Sequence, residues 1–525
     1  MLTFLSFIAF TGFVALYAWF RLRKDKLDSS DGFFLGGRSL TGIVIAGSML
    51  LTNISTEHLI GMNGSSYKNG FIIIAWEVTS AIALIFAAIY FVPKYLRMGL
   101  STIPQYLESR FDGPTRTIVA LFLVVSFVVT LLPIVLYTGG INLESIFNIS
   151  ELLGVSKSEG LWITVIIVGV IGSIYAIFGG LKAVAVSDTV NGYGLLIGGL
   201  LVPFLALLDI GDGNVITGLS RVYEKVPEKF NVIGARDSVL PFGTLFTGLV
   251  INQIYFWCMN QTIVQRALGA KNLIEAQKGL LYTGVLKILI PLIIILPGVI
   301  GFYYFGETYY DTQDSVYPEL VKKVLPLGFA GFFAAVVMGA VLSTFNSVLN
   351  SAATIFSIDV YKRHINREAS EINMVWIGKL VSSILAIFAI LTAPLVANAP
   401  EGLYQLLQQL NGIFFIPIAS IMLAGFFIKR VSATGAKAAL FTGLAFYILT
   451  TFILKADIHF VHVWGIEFIL NLAVMLIVSY YYPARHEMDQ QSLEIIDMTR
   501  WKFAPVFSII LFITTILIYI LLGHN

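Results

Sequence analysis

AGSMLLTNISTEHLIGMNGSSY, residues 46–67, reads as a membrane-spanning helix broken near its middle. Apolar residues run to Leu51. Thr52-Asn53-Ile54-Ser55-Thr56-Glu57-His58 then crowds polar side chains and a carboxylate into bilayer depth, and apolar residues resume with Leu59-Ile60-Gly61-Met62. A carboxylate at the centre of a span costs about 2.5–3.5 kcal/mol on insertion scales, so Glu57 needs a use or a partner. Unwinding frees carbonyls that protein, water or an ion must satisfy. Many secondary transporters build a substrate and cation site near the midplane in this way. The plain alternative is a polar helix face packed on its neighbours, with hydroxyls bonded back to carbonyls. This stretch alone leaves the two readings even.

The rest of the chain is built for a bilayer. Of 525 residues, 57% are hydrophobic and 12% charged, with mean hydropathy +0.85; soluble chains average about 25% charged. The net charge of +2 gives no reason to expect nucleic acid, and the single cysteine, Cys258, excludes an internal disulfide. Charges at the N-terminus follow the first apolar run instead of preceding it, which predicts a retained span and not a cleaved signal. Apolar runs of span length number about fourteen, so the expected fold class is an all-α polytopic membrane protein. About two thirds of the 33 Lys and Arg residues fall after odd-numbered spans, which makes those loops cytoplasmic and both termini extracytoplasmic.

The second span, 40–67, is interrupted, and so is the seventh, 243–264, where Asn252-Gln253 and then Tyr255-Phe256-Trp257-Cys258-Met259-Asn260-Gln261 depart from an apolar pattern. Interrupted spans at matching positions of two halves point to a transporter site. A shift of five spans reverses orientation. The layout therefore predicts a single transmembrane transporter domain, 1–525, with inverted repeats at 40–209 and 243–428 and peripheral helices at 1–22 and 434–522. No nucleophile–base pair or ligand cluster stands at a recognisable spacing, so an enzyme is not expected.

Each polar residue within a span has a functional and a bland reading. Glu77 and Ser80 share a helix face and suit a polyol; the alternative for Glu77 is an ion pair. Lys287 lies too deep to snorkel and needs a carboxylate, so Glu77 and Lys287 either share a ligand or form a structural pair. The Ser343-Thr344 hydroxyls suit Na⁺, a hard cation, or simple helix packing. Asp188 either draws a cation toward the exit or caps a helix. Gln408 either hydrogen-bonds a hydroxyl or joins two helices. Tyr255, Phe256, Trp257, Trp76 and Tyr404 are walls for a sugar ring or ordinary packing.

Taken together, FFLGGRSL, NISTEHLIGMNGSSY, AWEVTSAI, YAIFGGLKAVAVSD, FWCMNQTIVQRALGAKNLIEAQKG and LSTFNSVLNSAATIFSIDVYKR resemble the sodium/solute symporter family, and its sodium/sugar cotransporter branch in particular. The resemblance covers roughly residues 30–430. It implies a leucine-transporter-like fold of five plus five inverted helices. It implies a Na⁺ site from the carbonyls of Leu51, Ile54 and Ala340 and the hydroxyls of Ser343 and Thr344, with Asp188 on the intracellular sodium route. A sugar site would use Asn53, His58, Glu77, Ser80, Gln253, Lys287 and Gln408. Met62, Trp76 and Tyr404 match an outer gate, and Phe256 an inner aromatic stack. The chain departs from the bacterial galactose symporter at His58, where that protein has glutamine, at Phe256, where it has tyrosine, and at Leu131, where it has asparagine with Thr130 standing alongside here.

The resulting expectation is Na⁺-coupled secondary active symport of a neutral sugar, a hexose such as glucose or galactose, across a plasma membrane, here a bacterial inner membrane. The partners are the sugar, Na⁺ and the lipid bilayer. The nearest alternative is a sodium symporter for inositol, sialic acid, an amino acid or a carboxylate; a passive channel or a nutrient sensor stands further off. Glu57, about 100° round a helix from His58, is expected to face away from the sugar toward a structural partner.

Overall fold

The computed structural model describes residues 2–23, 28–310, 312–398, 403–484 and 496–523. Among these residues the chain is helical throughout, apart from turns, loops and one isolated bridge between Leu40 and Ala270. Among the described residues, twelve helices are long and apolar enough to cross a membrane. The expected count of about fourteen also included the two interrupted spans, and these supply no unbroken helix of spanning length.

The first break follows helix Gly42–Asn53. Ile54 is extended, with φ −91° and ψ 103°. The hydrogen-bond ladder ends with the Ile54 N–H on the Leu50 carbonyl (2.8 Å) and restarts with the N–H groups of His58 and Leu59 on the Ser55 carbonyl (3.1 and 3.2 Å). From Glu57 to Met62 the backbone has π-helical winding, and an α-helix follows over Asn63–Asn69. π-turns are wider than α-turns and gather at functional sites.

The second break lies between helices Gly248–Cys258 and Gln261–Leu268. Asn260 caps the second piece by accepting from the Thr262 N–H at 3.0 Å, which is the local reason a new helix starts there. Helix Leu273–Phe305 runs beside the first broken span. Asn63 and Ser66 donate to its carbonyls at Ile294 and Ile295, both at 2.8 Å, next to Pro297. Helix Leu327–Ile355 packs on the other side of Gly42–Asn53, and helix Leu2–Leu22 lies outside it with most side chains facing away from the protein.

The expected fifth and sixth spans join at Gly180, which has φ 60° and ψ −171°, a region almost confined to glycine. A Cβ at this position would stand 2.7 Å from the Phe33 carbonyl oxygen. Gly180→Ala is therefore expected to destabilise the protein by at least about 1–3 kcal/mol, read as a lower midpoint in thermal unfolding of the detergent-purified protein.

Candidate functional site

The two breaks face each other across one cavity. Thr52, Asn53, Glu57 and His58 line it from the first; Asn252, Gln253, Phe256, Trp257, Asn260 and Thr262 line it from the second. Trp76, Glu77, Lys287, Tyr404 and Gln408 complete the polar and aromatic wall, and Leu131 also lines it. The cavity has about 60 Å³ of room. That suffices for a few waters and not for a sugar ring, so the lining groups must separate to admit one.

At its centre is a buried ion pair. The Lys287 ammonium donates to the Glu77 carboxylate and, at 2.6 Å, to Asn53 Oδ1. Both charged side chains are almost fully buried. The ammonium also lies 5.6 Å from the centre of the Trp257 ring. Gln253 donates to the Trp76 carbonyl (2.8 Å) and accepts from Trp257 Nε1 (3.1 Å), which fixes two aromatic walls at once. Tyr404 meets Trp76 edge-on at 5.9 Å and His58 at 5.2 Å.

Several expected site residues stand outside this lining. Ser80 turns its hydroxyl back onto the Glu77 carbonyl and does not line the cavity. Met62 is buried outside the lining. Ser343 points away from its neighbour Thr344 and shares a second cavity with Asp188, Asn191 and Asn346. Glu57, expected to face away, lines the main cavity, with Oε1 at 3.5 Å from His58 Nδ1. The wide π-helical winding from Glu57 to Met62 brings adjacent residues closer in angle than an α-helix would.

Of the expected cation residues, Thr344 reaches the first break, meeting the Thr52 carbonyl at 3.1 Å and the Leu51 carbonyl at 3.4 Å. Ile54 and Ala340 are fully buried. Asp188 accepts from Ser48 at 2.7 Å. Sequence reasoning missed the group that ties these parts together. Arg266, counted as a loop charge, is fully buried; it donates to Ser48 at 3.2 Å, to the Thr262 carbonyl and to Ser347, which in turn meets Thr52 at 3.0 Å. The only sequence signal was its place five residues past the polar run of the second broken span.

Residues 33–443 match the profile of the Sodium:solute symporter family. The chain belongs to the sodium:solute symporter family. It is a multi-pass membrane transporter that uses Na⁺ and carries a small solute, and it is not an enzyme. The symporter is 44% identical over 505 residues to an uncharacterised symporter, YidK, of Escherichia coli K12, covering 96% of this chain and 88% of that one. It is 31% identical over 478 residues to a sodium/glucose cotransporter of Vibrio parahaemolyticus, covering 86% of each. A dog sodium/myo-inositol cotransporter is 28% identical over 482 residues, 83% of the symporter and 65% of that protein. A solved structure of a Na⁺-coupled sialic acid symporter, in a substrate-bound outward-open state, aligns with TM-score 0.76 at 20% identity over 93% of this chain and 99% of that one. The fold is therefore leucine-transporter-like, five plus five helices with additions.

Removing one partner of a buried pair strands the other charge, at a cost of about 3–5 kcal/mol. Glu77→Gln and Lys287→Met should each lower the symporter's unfolding midpoint in detergent, while the double variant should recover much of the loss. A double variant that loses the sum of both singles would show that the two groups do not act as a pair.

Proposed function

We propose that this symporter couples inward Na⁺ movement to uptake of a neutral sugar, a hexose such as glucose or galactose, by alternating access across a bacterial inner membrane. The observation that carries this reading is the chemistry at the cavity's centre. Glu77 and Lys287 cancel each other's charge while offering acceptors and donors, and the amides of Asn53, Gln253 and Gln408 stand among flat aromatic walls. Neutral hydroxyls suit such a set, because each can donate to Glu77 and accept from Lys287 or an amide. An anionic solute would meet Glu77, and Lys287 is already engaged. The likeness to the Vibrio sodium/glucose cotransporter, over most of both chains, supports the same choice.

In this reading Asn53, His58, Glu77, Gln253, Lys287 and Gln408 hold the sugar, with Ser80 recruited if its hydroxyl turns over. Trp76 and Tyr404, backed by Met62, close the outer side, and Phe256 closes the inner side. Na⁺ takes the carbonyls of Leu51, Ile54 and Ala340 and the hydroxyl of Thr344, joined by that of Ser343 once its side chain rotates out of the cavity it shares with Asp188, and leaves past Asp188. Support comes from Thr344 already bonding the freed carbonyls of the first break. Na⁺ there would fix the unwound segment and so set Asn53 and His58 for the sugar. Both ligands then bias one structural element, which is the requirement for coupling. The repeats run over 40–209 and 243–428, and both termini lie outside.

Proteoliposomes should accumulate D-glucose or D-galactose above equilibrium only under an inward Na⁺ gradient. Saturable uptake that is unchanged without Na⁺ would sink the coupling. Thr344→Ala removes one oxygen of the cation site, a loss of about 1.5–3 kcal/mol for a bond to a charge. The Na⁺ concentration for half-maximal uptake should rise about tenfold or more, as read from initial rates.

A further inference from the structure

The cavity is too small for a solute and has to open. On the side that the Lys and Arg pattern makes cytoplasmic, the second broken span continues as helix Gln261–Leu268, and Thr262 of this helix lines the cavity. Three side chains tie the helix to its surroundings. Gln261 accepts from the Ile103 N–H at 2.9 Å. Gln265 donates to the Phe34 carbonyl, Asn350 and Thr354 at 2.7, 3.0 and 2.9 Å. The third is Arg266, the one charged residue of the helix.

The Arg266 guanidinium is fully buried and divides between two neighbouring helices. Its Nε donates to Ser48 Oγ at 3.2 Å, and Ser48 donates onward to Asp188 at 2.7 Å. A second nitrogen donates to Ser347, whose hydroxyl meets Thr52 Oγ1 at 3.0 Å. The Thr52 carbonyl in turn accepts from Thr344 at 3.1 Å. One chain of hydrogen bonds thus runs from Asp188, through Arg266, to the freed carbonyls of the first break. The residues that share a cavity with Asp188 bring it no cation. A buried carboxylate without one is costly, and Arg266 answers this carboxylate through a single hydroxyl.

We propose that Arg266 latches the cytoplasmic side of the cavity, and that Na⁺ releases the latch by competing for Asp188. While Asp188 is free of Na⁺, the guanidinium holds helix Gln261–Leu268 to the first broken span at Ser48 and to helix Leu327–Ile355 at Ser347. Na⁺ that moves from the first break to Asp188 sets two cations against one buried carboxylate. Their repulsion in low-dielectric surroundings drives the guanidinium off. The ties at Gln261 and Gln265 are neutral and present no charge for Na⁺ to oppose. Arg266 does not line the solute cavity, so it is a positioning residue that makes opening depend on where Na⁺ sits. The inference rests on the reading in which Na⁺ leaves past Asp188 toward the cytoplasm.

Two measurements test the latch, and neither uses a sugar. The first is thermal unfolding of the purified protein in detergent, titrated with NaCl while choline chloride keeps ionic strength constant. Arg266→Gln should lower the Na⁺ concentration for half-maximal stabilisation by about fivefold or more, because Asp188 then has no competing cation. Arg266→Lys keeps the charge and should stay near wild type. An unchanged or raised Na⁺ requirement in Arg266→Gln overturns the competition. So does a shift that survives Asp188→Asn in the same chain, since Arg266 would then act elsewhere. Wild type that gains no stability from Na⁺ would refute the cation reading beneath the inference and leave the latch to the second measurement. That one puts Val348→Cys, at a position lining the cavity, into a Cys258→Ala background and follows labelling by a membrane-impermeant sulfonated maleimide. Arg266→Gln should speed labelling several-fold in inside-out vesicles and leave right-side-out vesicles unchanged. Faster labelling from both faces is general loosening and overturns the latch, as does no change from either. Faster labelling from the outer face alone keeps the latch and reverses the orientation read from the Lys and Arg pattern. Should Arg266→Gln not fold, Ser347→Ala removes one tie and keeps every charge. It should speed inside labelling by a smaller factor, and an unchanged rate overturns the latch.

Discussion

Backbone groups inside a bilayer must find partners within the protein, because hydrocarbon offers none. This chain stops bonding to itself between Leu50 and Ser55, and much of the central architecture answers that interruption. Thr344 comes from helix Leu327–Ile355 to reach the carbonyls of Leu51 and Thr52. Asn53, the last residue before the break, accepts from Lys287 on helix Leu273–Phe305. Arg266, on the second piece of the other broken span, donates to Ser48 just before the break and to Ser347 facing it. The unwound segment thus fixes the relative positions of three other helices, and a ligand that changes its bonding reaches all of them.

The ion pair at the centre follows from the same constraint. A buried carboxylate and ammonium give little net stability once desolvation is counted, so the Glu77–Lys287 pair is poorly explained as a structural rivet. Its geometry explains it better. The ammonium joins the end of the first broken helix, at Asn53, to the neighbouring helix that carries Glu77. It does so in a cavity too small for a solute. Groups that satisfy each other in the closed cavity are available to a polyol when it opens. Glu57 and His58 line the same cavity, with the His58 ring between the Glu57 and Glu77 carboxylates.

Much of this was legible in the chain itself. The polar run 52–58 marked the first break because no continuous helix tolerates that content at bilayer depth, and Asn252 to Gln261 marked the second. Glu77 and Lys287 announced each other, since each was an intramembrane charge in need of a partner. Ser80 was read as facing the ligand from i, i+3 spacing, yet its hydroxyl had a nearer acceptor in the Glu77 carbonyl. Ser343 and Thr344 were read as one oxygen pair, but neighbours on a helix diverge, and only Thr344 reaches the first break. Arg266 looked like a loop charge because it follows a broken span; burial beside Asp188 and Ser48 depends on helices far away in sequence.

The sequence by itself determined that this protein spans a membrane many times, that two spans are broken, and which charges lie where charges are costly. Those conclusions follow from hydropathy and local composition, which need no knowledge of neighbours. Only the tertiary structure decided that both breaks face one cavity, that Lys287 bridges Asn53 and Glu77, and that Glu57 turns inward beside His58. A side chain's direction depends on local winding, and its partner depends on which helix packs opposite. At Glu57, an α-helical reading was replaced by a wider turn, and a residue expected to face away became part of the site.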